Sequence, residues 1–203
     1  MKKEMTITYE VERSLYLNIT NKCSNRCSFC IRNNGDGAYG SNSLWLTREP
    51  TVEEIWNAVV AANPSEYGEV VFCGYGEPSY RLDVMCEIAT RIKEKYKTPV
   101  RVNTNGQSSL INGRDTAPDF SVFDCVSISL NAPTAERYQQ ICKSQYGERA
   151  FDAMLDFARE VKKYLPSVML SVVKETMTED ELSACIRLCE EIGVKIKIRN
   201  YVG

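Results

Sequence analysis

The chain has 203 residues, with 25 Lys plus Arg against 27 Asp plus Glu, nine cysteines and no histidine. This length suits one α/β domain over residues 1–203, and the near balance of charge gives no global field that would attract nucleic acid or an anionic membrane. No apolar run approaches the roughly 20 residues of a membrane helix and the polar start MKKEMTITYE lacks a signal-peptide core, so we expect a cytoplasmic protein.

The lack of histidine removes the most frequent protein ligand of zinc and the most frequent general base. Without an export signal, the nine cysteines are better interpreted as reduced thiols or metal ligands than as a disulfide framework. The chemistry of this chain is therefore expected to rely on cysteine, carboxylate, lysine, tyrosine or a bound cofactor.

Short β-rich runs alternate along the chain with longer segments whose apolar residues recur every three or four positions. Six strands are predicted, at residues 15–20, 69–73, 100–103, 126–130, 168–173 and 195–198. Four amphipathic helices are predicted, at residues 52–62, 82–96, 150–164 and 179–192. Thr51 and Thr178 are expected N-caps because acidic residues follow each of them, and Gly193 is an expected helix end.

This alternation predicts a parallel sheet whose successive strands lie side by side through right-handed crossovers. Such repeats suit either an open, doubly wound sheet or a partial barrel, and periodicity alone does not choose between them. In both architectures ligands bind beyond the carboxyl ends of the strands, so the residues that follow each strand are the candidates for a site. The Gly-, Asn- and Ser-rich segment 31–50 is interpreted either as a mobile lid or as a simple connection.

The segment NKCSNRCSFCIRNN, residues 21–34, places Cys23, Cys27 and Cys30 directly after the first predicted strand. Three thiolates from one loop can hold three corners of an iron–sulfur cluster and leave the fourth iron without a protein ligand. Structural zinc sites and electron-transfer clusters normally take four ligands. The alternatives are a zinc site completed by a distant cysteine such as Cys73, an electron carrier, or thiols that bind nothing.

The run CSNRCSFC resembles the Cys-x3-Cys-x-aromatic-Cys signature of the radical S-adenosylmethionine (SAM) enzymes, with Phe29 in the aromatic place. The resemblance implies a [4Fe–4S] cluster on the three cysteines and a partial (β/α)6 TIM-like barrel. It also implies that SAM binds the free iron and is cleaved reductively, and that the resulting radical abstracts hydrogen from a substrate. An external electron donor of the flavodoxin or ferredoxin type is the expected partner.

The segment FCGYGEPSY follows the second predicted strand and, taken alone, is a turn before a helix. It resembles the Gly-Gly-Glu motif of the same family, with Tyr75, Gly76 and Glu77 in the three places and Tyr75 departing from the first glycine. The resemblance implies that this turn holds the amino group of SAM.

Polar side chains end the later strands, and taken singly such residues often only cap a sheet. By resemblance to the family, four of them are expected to contact the ribose and carboxylate of SAM: Asn103, Asn105, Ser129 and Asn131. Lys174 and Arg199, after the last two strands, are cations that suit a carboxylate of SAM or substrate, with solvated surface charge as the alternative.

The other cysteines lie mostly in helical patterns, which suggests core packing more than a second metal site. No second cysteine-rich motif follows the predicted barrel, which argues against the subfamilies with auxiliary clusters. The sequence from LYLNITNKCSNRCSFC to ICKSQYG most resembles the sequences of the small TatD-associated radical SAM proteins.

The shape of a partial barrel bears on the kind of substrate. Because a partial barrel leaves a lateral gap, a peptide or protein partner is the first hypothesis, with small-molecule rearrangement or RNA modification behind it. A membrane partner is not expected, and a nucleic acid is a weaker hypothesis. The competing class is a non-catalytic iron–sulfur or zinc protein.

Overall fold

The computed structural model describes residues 5–201, so the two ends of the predicted domain, residues 1–4 and 202–203, lie outside the described part. One seven-stranded sheet has its strands in sequence order, with the first pair antiparallel and the other five pairs parallel. The strands are β1 (Thr8–Val11), β2 (Ser14–Leu17), β3 (Glu69–Phe72), β4 (Val100–Thr104), β5 (Cys125–Ser129), β6 (Ser167–Val173) and β7 (Lys195–Arg199).

Six α-helices connect these strands: α1 (Val52–Ala62), α2 (Leu82–Tyr96), α3 (Ser108–Asn112), α4 (Ala135–Cys142), α5 (Arg149–Val161) and α6 (Glu179–Ile192). The strand order never reverses along the sheet, so the topological switch point of a doubly wound fold is missing from residues 5–201. The predicted partial (β/α)6 TIM-like barrel is therefore confirmed, and the open doubly wound alternative is wrong.

The two faces of the sheet differ sharply in polarity. Alternate strand residues pack with the apolar faces of the helices into one core: Leu15, Leu17, Val70, Phe72, Val100, Val102, Val126, Ile128, Val168, Leu170 and Val172. The residues between them point to the opposite, inner face, because side chains alternate along a strand. That inner face carries polar groups, including Glu69, Arg101, Asn103 and Ser171.

The helices α1, α2 and α6 have the predicted limits. Thr51 and Thr178 form capping boxes with Glu54 and Glu181, and Gly193 ends α6 in the left-handed conformation. These ends were predictable because each is encoded by two or three adjacent residues.

Other limits differ from the prediction. The first predicted strand, 15–20, ends at Leu17, and the next residue, Asn18, is buried and donates its side-chain amide to the backbone oxygens of Thr6 and Leu44. The helix predicted at 150–164 ends at Val161. Strand β1 and helices α3 and α4 were not predicted, because each is too short, at four, five and eight residues, for a periodic pattern to stand out in the sequence.

Segment 31–50 packs against the sheet at β1 and the end of β3. Its residues Ala38 and Leu44 are buried with Tyr9 and Tyr75 in a small apolar cluster. The segment thus covers this side of the inner face. No helix in the described part of the chain has the length and apolar character needed to cross a bilayer.

Replacing the N-cap of α6, Thr178→Ala, is expected to lower the free energy of unfolding by about 1 kcal/mol, because the amide of Glu181 loses its side-chain acceptor. Chemical denaturation measures the change. Ser183→Ala, at an exposed position inside the same helix, is the control and should be neutral or slightly stabilising. Equal losses in both variants would contradict the capping role.

Candidate active site

The cysteine loop, residues 21–34, runs beside the end of α4. The amide of Arg26 donates to the carbonyl of Cys142 at 2.9 Å, and the amide of Ser28 donates to that of Ile141 at 2.9 Å. Cys27 lies between these two backbone bonds. The loop is therefore attached to a helix more than a hundred residues away along the chain, and the three cysteines are left half-buried.

A buried polar network fixes the inside of the same loop. The Tyr138 hydroxyl accepts from the side-chain amides of Asn25 and Gln107, both at 3.0 Å. Gln107 also donates to the Asn25 side chain at 2.8 Å and accepts from the Ser144 hydroxyl at 3.0 Å. All four side chains are buried. Because buried polar groups are costly when unpaired, this closed set of bonds strongly favours one loop position.

Glu77 links the glycine turn to the end of β4. Its carboxylate accepts from the Thr104 hydroxyl at 2.7 Å, the Asn105 amide at 2.7 Å, the Ser79 hydroxyl at 2.8 Å and the Ser79 amide at 3.2 Å. Burial raises the pKa of Glu77 and these hydrogen bonds oppose that rise. Three of these donors reach Oε1, whereas the Asn105 amide alone reaches Oε2, so Oε2 keeps an acceptor position.

The glycines of this turn allow it to approach the cysteine loop. A Cβ at Gly76 would overlap the carbonyl oxygens of Thr20 and Lys22, and a Cβ at Gly74 would overlap the Asn18 side chain. The amide of Glu77 donates to the Lys22 carbonyl at 2.8 Å. The glycines thus let the turn pack against residues 18–22, where the chain enters the cysteine loop, and their expected role in admitting a ligand stays a prediction.

The two aromatic candidates, Phe29 and Tyr75, are packed into the protein. Phe29 is partly buried against the main core. The Tyr75 ring is buried, meets Trp45 edge-on at 5.0 Å, and its hydroxyl donates to the Gly35 carbonyl at 2.8 Å. Tyr75 therefore anchors segment 31–50 above the turn.

The surroundings of the loop raise the pKa of all three thiols. Burial and the nearby Glu77 carboxylate raise the pKa of Cys23 to about 12. A hydrogen bond with the Cys142 thiol, followed by burial, raises the pKa of Cys27, and burial raises that of Cys30. Among residues 5–201, no three Cys, His, Asp or Glu side chains are oriented as a metal ligand set.

The polar strand ends have different surroundings. Asn103 accepts from Arg101 on the inner face, whereas the Asn105 side chain donates to the Ser24 hydroxyl of the cysteine loop at 2.8 Å. Ser129 is half-buried at the end of β5. Asn131, just beyond, is buried, has a positive φ of 55°, and its Oδ1 has no hydrogen-bond partner in the described part of the chain.

The two candidate cations are also unlike each other. Lys174 is exposed on the turn after β6, beside the first residues of α6. Arg199 ends β7, and its Nε is buried without a partner among the described residues. The charge of Arg199 acts on Cys73 at the end of β3, where burial raises the pKa of that thiol and Arg199 opposes the rise. Arg199 therefore belongs to the inner face, and Lys174 to the rim.

The donor chemistry of the site fits an iron–sulfur cluster with SAM. Three thiols come from one loop, while a buried acceptor, Asn131 Oδ1, and a buried donor, Arg199 Nε, lie unpaired at strand ends. The acceptor suits the ammonium group of SAM, and the donor suits its carboxylate. Because thiolates are the ligands of such clusters, loading requires the three side chains to lose protons and turn toward a common point.

Five residues that hold the loop were not identified from the sequence: Ser24, Asn25, Gln107, Tyr138 and Ser144. Four of them lie in segments that the sequence analysis named: the cysteine loop, the strand end that carries Asn103 and Asn105 (VNTNGQ, residues 102–107), and the run ICKSQYG. The partners are distant in sequence, so only the fold reveals that they meet.

A family model described as the Radical SAM superfamily matches residues 17–189. A probable GTP 3′,8-cyclase of Methanocaldococcus jannaschii is 28% identical over 191 residues, covering 94% of this chain and 59% of that protein. A probable GTP 3′,8-cyclase of Thermococcus kodakarensis is 28% identical over 186 residues, covering 91% of this chain and 55% of that protein. The chain thus spans less than two thirds of the length of these relatives.

Solved structures share the fold at low sequence identity. Streptococcus suis SuiB bound to its precursor peptide SuiA has a TM-score of 0.68 at 15% identity, covering 93% of this chain and 39% of SuiB. HydG, a maturase of the [FeFe]-hydrogenase, has a TM-score of 0.63 at 16% identity, covering 93% of this chain and 42% of HydG.

The substitution Tyr138→Phe is expected to lower the free energy of unfolding by about 1–3 kcal/mol, because the side-chain amides of Asn25 and Gln107 lose a buried acceptor. Urea denaturation measures the loss. Tyr164→Phe is the matched control, since Tyr164 is 42% exposed, and should be nearly neutral. A neutral Tyr138→Phe would show that the network does not hold the loop.

Proposed function

Because the chain belongs to the radical SAM superfamily, whose enzymes use a [4Fe–4S] cluster and SAM, we propose that Cys23, Cys27 and Cys30 bind that cluster here. When bound, the cluster and SAM supply reductive cleavage of SAM and abstraction of a substrate hydrogen. An external one-electron donor of the flavodoxin or ferredoxin type completes the proposal. The observation that carries it is the three-thiol loop fixed by buried bonds at the carboxyl ends of the strands.

The protein itself contributes orientation and exclusion of water. The buried network around Tyr138 fixes the loop that carries the thiols, and the Glu77 carboxylate fixes the turn against it. Segment 31–50, anchored by Tyr75, covers part of the inner face. A reactive intermediate survives only in a site that is dry and rigid, which such an arrangement favours.

We assign SAM to the inner face at the ends of β5 and β7. The unpaired Asn131 Oδ1 suits the ammonium of SAM, and the unpaired Arg199 Nε suits its carboxylate. Roles for Tyr75 and Glu77 in binding SAM stay predictions from the sequence, and Oε2 of Glu77 has room for one more donor. Roles for Phe29, Gly76, Asn103, Asn105, Ser129 and Lys174 in binding SAM remain predictions from the sequence.

Two substrate classes have support. A peptide or protein substrate is supported by the fold shared with SuiB, whose structure contains the precursor peptide SuiA. A small-molecule rearrangement is supported by the relatives named as probable GTP 3′,8-cyclases, which align over nearly the whole chain at 28% identity. The sequence similarity to these relatives is stronger support than a shared fold at 15% identity, so we favour a small-molecule substrate.

The alternative of a non-catalytic zinc protein needs a fourth ligand. Cys73, the distant cysteine considered for that role, hydrogen-bonds Asn103 on the inner face. A protein of that class would also have no use for the unpaired Asn131 and Arg199 atoms. These observations favour the enzyme.

Alanine in place of any one of Cys23, Cys27 and Cys30 is expected to abolish formation of 5′-deoxyadenosine from SAM by reconstituted, dithionite-reduced protein, because the cluster loses a ligand. Chromatography measures the product, and iron and sulfide analysis measures the loading. Cys86→Ala, at a half-buried position in α2, is the control and should keep both. Full cluster loading and SAM cleavage in a Cys27→Ala protein would contradict the assignment of the three cysteines as cluster ligands.

Asn131→Gly is expected to weaken SAM binding by about fivefold to tenfold, because it removes the acceptor amide while glycine keeps the left-handed backbone. Equilibrium dialysis with labelled SAM measures the affinity, and cluster content should not change. Asn63→Gly, also at positive φ but at the exposed end of α1, is the control. Unchanged SAM affinity in Asn131→Gly would place SAM elsewhere.

A further inference from the structure

Cys73 carries a thiol on the inner face of the barrel that the proposed function does not use. Its amide donates to the Leu17 carbonyl at 3.1 Å, so the parallel pairing of β2 with β3 continues one residue beyond Phe72. Because Phe72 packs into the helical core, the next side chain points to the inner face, at the carboxyl end of β3. Cys73 is half-buried, so the interior of the barrel reaches it.

The neighbours of Cys73 on this face hold it in a defined position. The Tyr9 hydroxyl donates to the Cys73 carbonyl at 3.1 Å, and the Tyr9 ring packs beside Tyr16 with the ring centroids 5.3 Å apart. The Asn103 side chain hydrogen-bonds the thiol and also accepts from Arg101. Burial raises the pKa of the Cys73 thiol, which keeps hydrogen on the sulfur near neutral pH.

The carboxyl-end mouth that this thiol faces also contains polar atoms without a protein partner. Asn131 is 4% exposed, and its Oδ1 and the buried Arg199 Nε are unpaired among the described residues. Burial is the main cause of the raised pKa of Cys73 and of Cys23, and the charge of Glu77 adds to both. The charge of Arg199 opposes the rise at Cys73. Because charge effects weaken with distance, the thiol lies in the same part of the mouth as the cysteine loop and Arg199.

Packing is the ordinary explanation for a cysteine that is not fully exposed. It accounts for Cys142, Cys185 and Cys189, which belong to the main apolar core. Cys73 belongs to neither apolar cluster in the described part of the chain. A packing role therefore does not explain this thiol, and its position leaves the sulfur-bound hydrogen available for chemistry.

We propose that Cys73 is the hydrogen-atom donor of the active site. A carbon radical formed beside SAM takes the hydrogen atom of the thiol, so a C–H bond forms, the S–H bond breaks and a thiyl radical remains on the sulfur. One electron from the external donor of the proposed function and one proton from water restore the thiol. Because an S–H bond is weaker than an alkyl C–H bond, the transfer is downhill. The inference rests on the proposed function and adds the residue that returns hydrogen to the radical product.

The first test uses cluster-loaded, dithionite-reduced protein with SAM in deuterium oxide, without substrate, so that the deoxyadenosyl radical is itself the carbon radical. The Cys73 thiol then carries deuterium, whereas protein C–H groups do not, and mass spectrometry measures the deuterium in 5′-deoxyadenosine. Cys73→Ser should lower the deuterated fraction severalfold, because a serine O–H bond is too strong to donate. Cys125→Ser, at the amino end of β5 on the same inner face, is the control and should keep the wild-type fraction.

A second measurement does not depend on SAM cleavage. In cluster-loaded, unreduced protein, bound SAM should slow alkylation of Cys73 by N-ethylmaleimide severalfold and leave the rate at Cys125 unchanged, as measured by peptide mass spectrometry of one sample. Alkylation of Cys73 that SAM does not slow, or a deuterated fraction that Cys73→Ser does not lower, overturns the inference even when SAM is cleaved. Absence of 5′-deoxyadenosine from all three proteins overturns the proposed function and the inference with it.

Discussion

The arrangement of the site depends on one buried carboxylate. Glu77 receives four hydrogen bonds from the residues that follow β3 and β4, while its own amide is bonded to the cysteine loop. Taking a carboxylate out of water costs several kcal/mol, and only a full set of donors offsets that cost. A single set of positions satisfies the donors, so the ends of two strands and the start of the loop are fixed together.

The cysteine loop itself has little apolar surface with which to hold a position. Its inner residues, Ser24 and Asn25, are polar and buried, so their hydrogen-bond partners decide where the loop lies. Those partners come from the segment after β4 and from α4. The consequence is a separation of roles within eight residues: Ser24 and Asn25 anchor the loop, and the cysteines stay half-buried and available.

The sequence predicted those features that are encoded locally. Helices α1 and α6 have their predicted limits because Thr51 and Thr178 each precede an acidic turn and a clear apolar period. Strand β1 was missed because four residues are too few to establish an alternation. Helix α4 was missed because it is short and polar, and with it the position of Tyr138, the hydroxyl on which the network converges.

The same distinction applies to the site. The spacing of Cys23, Cys27 and Cys30 is local and identified the loop, but the partners of Asn25 are 82 and 113 residues away in sequence. The glycines of the turn were found from their pattern, and their physical role became visible only in contact with Thr20 and Lys22. Sequence spacing thus defines which groups can react, whereas long-range buried bonds define where those groups are held.

The difference in polarity between the two faces of the sheet explains where unpaired polar atoms occur in the barrel. Alternation along the strands directs apolar residues to the helices and polar residues inward, so a polar atom that is buried on the inner face needs a partner or a ligand. Arg101 pairs with Glu69, whereas Asn131 Oδ1 and Arg199 Nε have no partner among the described residues. These two unpaired atoms lie at or just beyond the carboxyl ends of β7 and β5, so the face that holds the Glu69–Arg101 pair also presents a free donor and a free acceptor at the rim assigned to SAM.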